Sequence, residues 1–156
     1  MPYSAFEFGT LSVSMVLTGL ILYYLKHLET IGCKCAMNYK RTYIIYFHIF
    51  SLALGAANLL SGNAVTEYIA KSSFAIPFIF VVASLAITNI VFTLQYVEEL
   101  KKDNCDCSES VFRTMMYILS IISAVTWSLI ILAGLMIGSV FLSVKDSMVK
   151  KIKSKK

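Results

Sequence analysis

The stretch 24–42, YLKHLETIGCKCAMNYKRT, occurs twice in this chain, and the repetition limits its folds more than any other feature does. Shifting the sequence by 72 positions lays 96–114, YVEELKKDNCDCSESVFRT, on it without a gap. Tyr24 then falls on Tyr96, Leu28 on Leu100, Cys33 on Cys105, Cys35 on Cys107, Arg41 on Arg113 and Thr42 on Thr114. All four cysteines lie in this frame. Each copy follows one apolar run and precedes another. The chain therefore reads as a tandem duplication of helix, polar Cys-x-Cys hinge and helix, with repeats over 1–72 and 73–144 and a basic tail over 145–156.

The runs beside the hinges decide the solvent. With 58% hydrophobic and 15% charged residues and a mean hydropathy of +0.74, the chain is too apolar for a soluble domain of 156 residues. Crossing a bilayer takes about 20 apolar residues in a helix. Four runs qualify: 9–25, 43–60, 74–97 and 115–144. The first is the least hydrophobic, because of Thr10, Ser12, Ser14 and Thr18. No basic segment precedes it, so it is expected to stay in the mature protein rather than be cleaved as a signal peptide. Ser61-Gly62-Asn63 has turn chemistry that ends the second run, and the connection 64–73, with Glu67 and Lys71, suits the membrane interface. Pro77 falls in the first turn of the third run, where a missing N–H costs little. The fourth run is longer than a perpendicular helix needs, so it must tilt, kink near Gly134 or protrude. The tail is expected to be mobile. These readings give an all-α, integral membrane four-helix bundle made of two helix–hinge–helix repeats.

Four spans put both hinges on one side of the bilayer. Lys26, Lys34, Lys40, Arg41, Lys101, Lys102 and Arg113 lie on that side; Lys71, Lys145, Lys150, Lys151, Lys153, Lys155 and Lys156 lie on the other. Seven against seven account for all 14 basic residues, so the positive-inside rule gives no orientation.

The candidate sites follow from this layout. Thiolates of Cys33, Cys35, Cys105 and Cys107 could supply the four sulfurs of a tetrahedral zinc, although Cys-x-Cys is tighter than the usual Cys-x2–4-Cys. Disulfides from Cys33 or Cys35 to Cys105 or Cys107 are the alternative on an oxidising side, and juxtamembrane thiols can also remain free or be acylated. Zinc is the only cofactor these residues suggest. Arg41 and Arg113, where each hinge meets the next span, can anchor at the interface or pair with a carboxylate of the other hinge. Inside the runs, Asn58 and Asn89 are expected to hydrogen-bond across helices, while His48 and Gln95 lie near the hinge-side interface. Gly55-Ala56-Ala57 and Gly134-x3-Gly138 permit close helix packing, within the bundle or with another copy in a homo-oligomer. Lys150, Lys151, Lys153, Lys155 and Lys156 give the tail a charge that attracts anionic lipid or nucleic acid. No Gly-rich phosphate loop, His-Glu-x2-His or serine nucleophile motif occurs, and His27 stands without an acid partner to make a catalytic cysteine. An enzyme is not expected, and no small-molecule substrate is evident. A small channel or carrier built from the duplicated unit is the alternative to a structural role. The lack of acidic or basic residues deep in the runs weighs against it.

The hinge pattern Tyr-x3-Leu-x4-Cys-x-Cys-x5-Arg-Thr between apolar runs resembles small multi-span proteins encoded by large DNA viruses of algae and protists. An aromatic–basic–basic run after the cysteines belongs to that pattern. Tyr39-Lys40-Arg41-Thr42 fits it, whereas Phe112-Arg113-Thr114 keeps only the arginine and threonine of its basic end. The resemblance implies a component of a virion's internal membrane, or of a host endomembrane, similar to minor capsid proteins that tie the bilayer to the capsid shell.

Overall fold

A computed structural model describes residues 5–62 and 64–153, with side chains described as far as residue 136. The described residues form five helices: α1 (Ala5–Thr30), α2 (Tyr39–Ser61), α3 (Ala64–Lys71), α4 (Ala75–Lys102) and α5 (Val111–Lys153). The expected all-α, four-long-helix architecture is what the chain has. Four of the helices (α1, α2, α4 and α5) are long and apolar enough to cross a membrane, as an integral multi-pass membrane protein requires. The connection 64–73 is more structured than expected, because residues 64–71 close into the short amphipathic helix α3. The helical backbone of α5 also continues over the first nine residues of the tail, to Lys153.

The chain divides into two compact units, Met1–Ile121 and Ile122–Lys156. The first holds α1 to α4, both hinges and the start of α5; the second holds the remainder of α5. In the first unit α2 packs against both α1 and α4. Its core lies at the hinge end and is built from Ile21, Tyr24, Leu25, Leu28, Ile44, Tyr96, Val97, Leu100 and Met116 around the hinge residues Cys33, Ala36 and Cys105. Away from the hinges the apolar side chains face outward: Val13, Val16, Leu60, Ile76, Ile79 and Phe80 are all exposed. In water such surface would be a liability; in lipid it is the expected exterior.

Several serine and threonine hydroxyls of the apolar helices bond within their own helix, where hydrocarbon offers no other partner. Thr10 donates to the Phe6 carbonyl, Ser12 to Phe8 and Thr18 to Ser14, each at 2.8 Å. The low hydropathy of the first run therefore leaves no unpaired group at these three positions. In the second unit Thr126 and Ser128 make the same four-residue back-bond to Ile122 and Ala124.

The leucines and tyrosines of the first hinge predict a helical extension up to Ile31 and a break at Gly32; α1 ends at Thr30, and α4 runs likewise into the second hinge, to Lys102. Leu28 and Leu100 are buried and hold the last turns of α1 and α4, so the true connections are residues 31–38 and 103–110. Both helices stop in the same way. Gly32 (φ +68°) and Asn104 (φ +47°), equivalent in the repeat, take the left-handed conformation. The next amide, Cys33 or Cys105, then donates back to the Leu28 or Leu100 carbonyl at 3.0 and 3.1 Å. This is the Schellman closure, with the buried cysteine and leucine supplying its hydrophobic contact. It fixes where each first cysteine points.

Candidate functional site: the cysteine hinge

After each Schellman turn the chain makes a 3-10 turn, Lys34–Ala36 in the first hinge and Asp106–Ser108 in the second. A turn this tight places the two sulfurs of a Cys-x-Cys on one side, 3.8 Å apart in each hinge. Helix then restarts on an N-cap side chain: Asn38 Oδ1 accepts from the Arg41 amide at 3.0 Å, and Ser110 Oγ from the Arg113 amide at 3.3 Å. Asn38 and Ser110 are again 72 residues apart.

The hinges meet through contacts that obey this same offset. Tyr24 OH donates to the Ser108 carbonyl at 2.7 Å, and Tyr96 OH donates to the Ala36 carbonyl at 3.1 Å. Each tyrosine of one repeat thus satisfies the equivalent buried carbonyl of the other. Disulfides Cys33–Cys107 and Cys35–Cys105 exchange under the same operation. Together these contacts define a local pseudo-twofold axis through the sulfur cluster. Cys33 and Cys105 are buried beneath it, while Cys35 and Cys107 are exposed.

The symmetry breaks where the sequences diverge. Lys40, buried, forms an ion pair with Glu99 of the other hinge, and Asn38 Nδ2 adds a 3.3 Å hydrogen bond to the same carboxylate. The equivalent positions are Phe112 and His27. There an aromatic group stands instead, with Phe112 6.1 Å from Tyr24 and 6.3 Å from Tyr23, whose ring stacks on His27. The sequence marks Lys40 only as part of the basic run and does not mark Glu99 at all. The only signal was their departure from the repeat.

Arg41 is buried rather than spread on the interface. It donates to the Leu25 carbonyl through Nη2 at 2.8 Å and Nε at 3.2 Å, and pairs with Glu29 of its own hinge at 2.9 Å. It thereby ties the start of α2 to the last turns of α1. Arg113 reaches Ser108 Oγ at 3.2 Å and Glu109 at 3.7 Å, also within its own hinge, and its Nε is buried with no hydrogen-bond partner among the described residues. Among the described residues the ion pair between hinges is made by Lys40 and Glu99, and by neither arginine.

The remaining residues lie apart from the hinge cluster. Gly55 faces α1, where an added Cβ would meet Met15 Cγ at 3.5 Å and Leu11 Cδ1 at 3.8 Å. Asn58 Oδ1 accepts from Thr66 of α3 at 2.7 Å. Asn89 Oδ1 is buried and finds no hydrogen-bond partner among the described residues. His48 is buried, with Nδ1 2.8 Å from the Ile44 carbonyl, and Gln95 is exposed. A Cβ on Gly134 would meet nothing within 4 Å. Gly138 lies in α5 beyond the residues whose side chains are described, as do Lys150, Lys151 and Lys153, and Lys155 and Lys156 lie outside the described residues.

No protein-family model, curated protein or solved structure matches this chain. Fold and site together define a duplicated, all-helical protein with four apolar helices of membrane-spanning length. Its two halves are joined by two disulfides at a pseudo-twofold hinge.

Proposed function

We propose that the protein is a structural multi-pass membrane protein whose closed hinge face docks a protein partner on one side of the bilayer. The observation that carries this reading is the concentration of order at the hinge. The fully buried side chains, the reciprocal tyrosine bonds and both disulfides gather there, while the far apolar faces are left to lipid. A rigid hinge platform holds a docking surface in one geometry, which lowers the ordering cost of binding. Exposed Ile31 and Met37 on the first hinge give that platform apolar contact area. The lysines at the C-terminal end suit anionic headgroups, a capsid shell or nucleic acid on the opposite side. In a virion, to which the hinge pattern's resemblance points, the platform's partner is capsid protein and the bilayer is the internal membrane. Catalysis forms no part of this role.

The test is site-specific photo-crosslinking of the full-length protein in its native membrane. Probes at Ile31, Met37 and Lys34 should yield one discrete protein adduct, and probes at Val16 and Phe80 should yield lipid. Solute flux through reconstituted liposomes, abolished by blocking the interior, together with lipid-only adducts at the hinge, would replace the structural reading with a channel or carrier.

A further inference from the structure

The four hinge sulfurs converge more closely than two separate crosslinks demand. All lie within 4.8 Å of one another. Besides the 3.8 Å separations within each hinge, Cys33 and Cys105 are 3.7 Å apart and Cys35 and Cys107 3.4 Å apart. A zinc ion with four thiolates at about 2.3 Å has sulfur–sulfur edges of about 3.8 Å. Four of the six edges are therefore close to those of a tetrahedral site, and only the two bonded pairs must part. The turns that set these edges are closed by backbone hydrogen bonds, Cys33 to Leu28, Cys105 to Leu100, Ala36 to Cys33 and Ser108 to Cys105, none of which involves sulfur. Reduction of the disulfides breaks none of these bonds directly. Charge also fits. A zinc tetrathiolate is dianionic, and Arg113, whose buried Nε has no partner among the described residues, is joined through Ser108 Oγ to the Cys105 carbonyl. Exposed Cys35 and Cys107 give an ion a route in from solvent.

The geometry points to a second state of the hinge: on reduction, Cys33, Cys35, Cys105 and Cys107 form a tetrahedral thiolate site for one zinc ion. A dithiol reductant gives each disulfide two electrons and two protons and is itself oxidised to a disulfide. Zinc then displaces the four thiol protons to solvent. The hinge is closed by sulfur–sulfur bonds in an oxidising compartment and by metal in a reducing one. The two halves are thus joined on whichever side of the membrane the hinge is made.

Cobalt(II) tests this directly. The full-length protein, in detergent, is reduced with a phosphine, desalted without oxygen and titrated with cobalt. One cobalt per chain should bind with the intense visible absorption of a tetrahedral tetrathiolate, and equimolar zinc should bleach it. Cys35→Ser should shift the bands and weaken binding by more than the roughly 10- to 100-fold typical of losing a supporting group. Should reduction alone disorder the hinge, adding metal must restore its near-ultraviolet circular dichroism. A reduced chain with four titratable thiols that takes up no cobalt, or shows only the pale octahedral spectrum, overturns the proposal. So does a cobalt spectrum unchanged in Cys35→Ser, or a disordered hinge that metal does not restore.

Discussion

Removing one hinge disulfide should cost far less than half of what removing both costs. The bridges close loops of nearly equal length, with sequence separations of 74 for Cys33–Cys107 and 70 for Cys35–Cys105. In the chain-entropy account a loop of that size is worth about 4.4 kcal/mol at 25 °C. Yet with either bridge in place the large loop stays closed. The second bridge then closes only the small ring through residues 33–35 and 105–107, worth about 2 kcal/mol on the same relation. The paired changes Cys35→Ala/Cys105→Ala and Cys33→Ala/Cys107→Ala should therefore each cost about 2 kcal/mol, and the quadruple variant about 6.5 rather than about 4. Helices that remain in detergent or lipid after unfolding already confine the chain, so these values are ceilings and the excess over additivity is the quantity to read. Equilibrium unfolding in mixed micelles under non-reducing, metal-free conditions would measure it. Strict additivity would show that the bridges act through local packing, and the entropic reasoning would fail.

The other expectations use the same unfolding assay. Tyr24→Phe and Tyr96→Phe each strip a buried carbonyl, on Ser108 or Ala36, of its donor and should cost similar amounts, about 1–3 kcal/mol; no loss at either would mean that water reaches the carbonyl. Gly32→Ala should destabilise by about 1–2 kcal/mol, because a Cβ disfavours φ +68°, whereas Asn104→Gly should be neutral or slightly stabilising; equal signs would refute the Schellman reading. Glu99→His alone leaves Lys40 buried without its carboxylate and should cost about 1–2 kcal/mol, less than a fully buried pair because Glu99 is half exposed. Adding Lys40→Phe should recover most of that loss by copying the aromatic arrangement on the other side of the axis. A double variant no better than the sum of its singles would count against that equivalence.

The sequence made the architecture legible because bilayer-length apolar runs and a gapless repeat are periodic signals that need no tertiary information. It also brought all four cysteines to one face, since an even number of spans per repeat leaves no other option. Which cysteine bonds which was not legible. A twofold axis is equally satisfied by Cys33–Cys105 with Cys35–Cys107 and by the crossed pairing found, so the repeat by itself does not choose between them. Helix α3 was hidden because eight residues give too short a periodicity to separate from a polar connection. Arg41 was expected at the interface because arginines at span ends commonly anchor there. It is buried instead because its guanidinium, arriving from α2, reaches both the Leu25 carbonyl and the Glu29 carboxylate on the last turns of α1.

The pseudo-twofold also explains why the hinge contains both an ion pair and an aromatic cluster. In a symmetric dimer of two-helix units, one residue type must serve both sides of the axis, so a lysine on one side would face a lysine's equivalent environment on the other. Fusion into one chain lifts that constraint. Position 40 has a lysine and its equivalent 112 a phenylalanine, while position 27 has a histidine and its equivalent 99 the glutamate that meets Lys40. A buried ion pair often adds little net stability over an apolar packing of similar volume, but it penalises mispairing by leaving a charge unmatched. The two halves share the contacts that close the hinge, namely tyrosine to carbonyl and cysteine to cysteine. They differ in those that can tell one half from the other. On this argument the shared set supplies the strength of the joint. The diverged set fixes which half meets which.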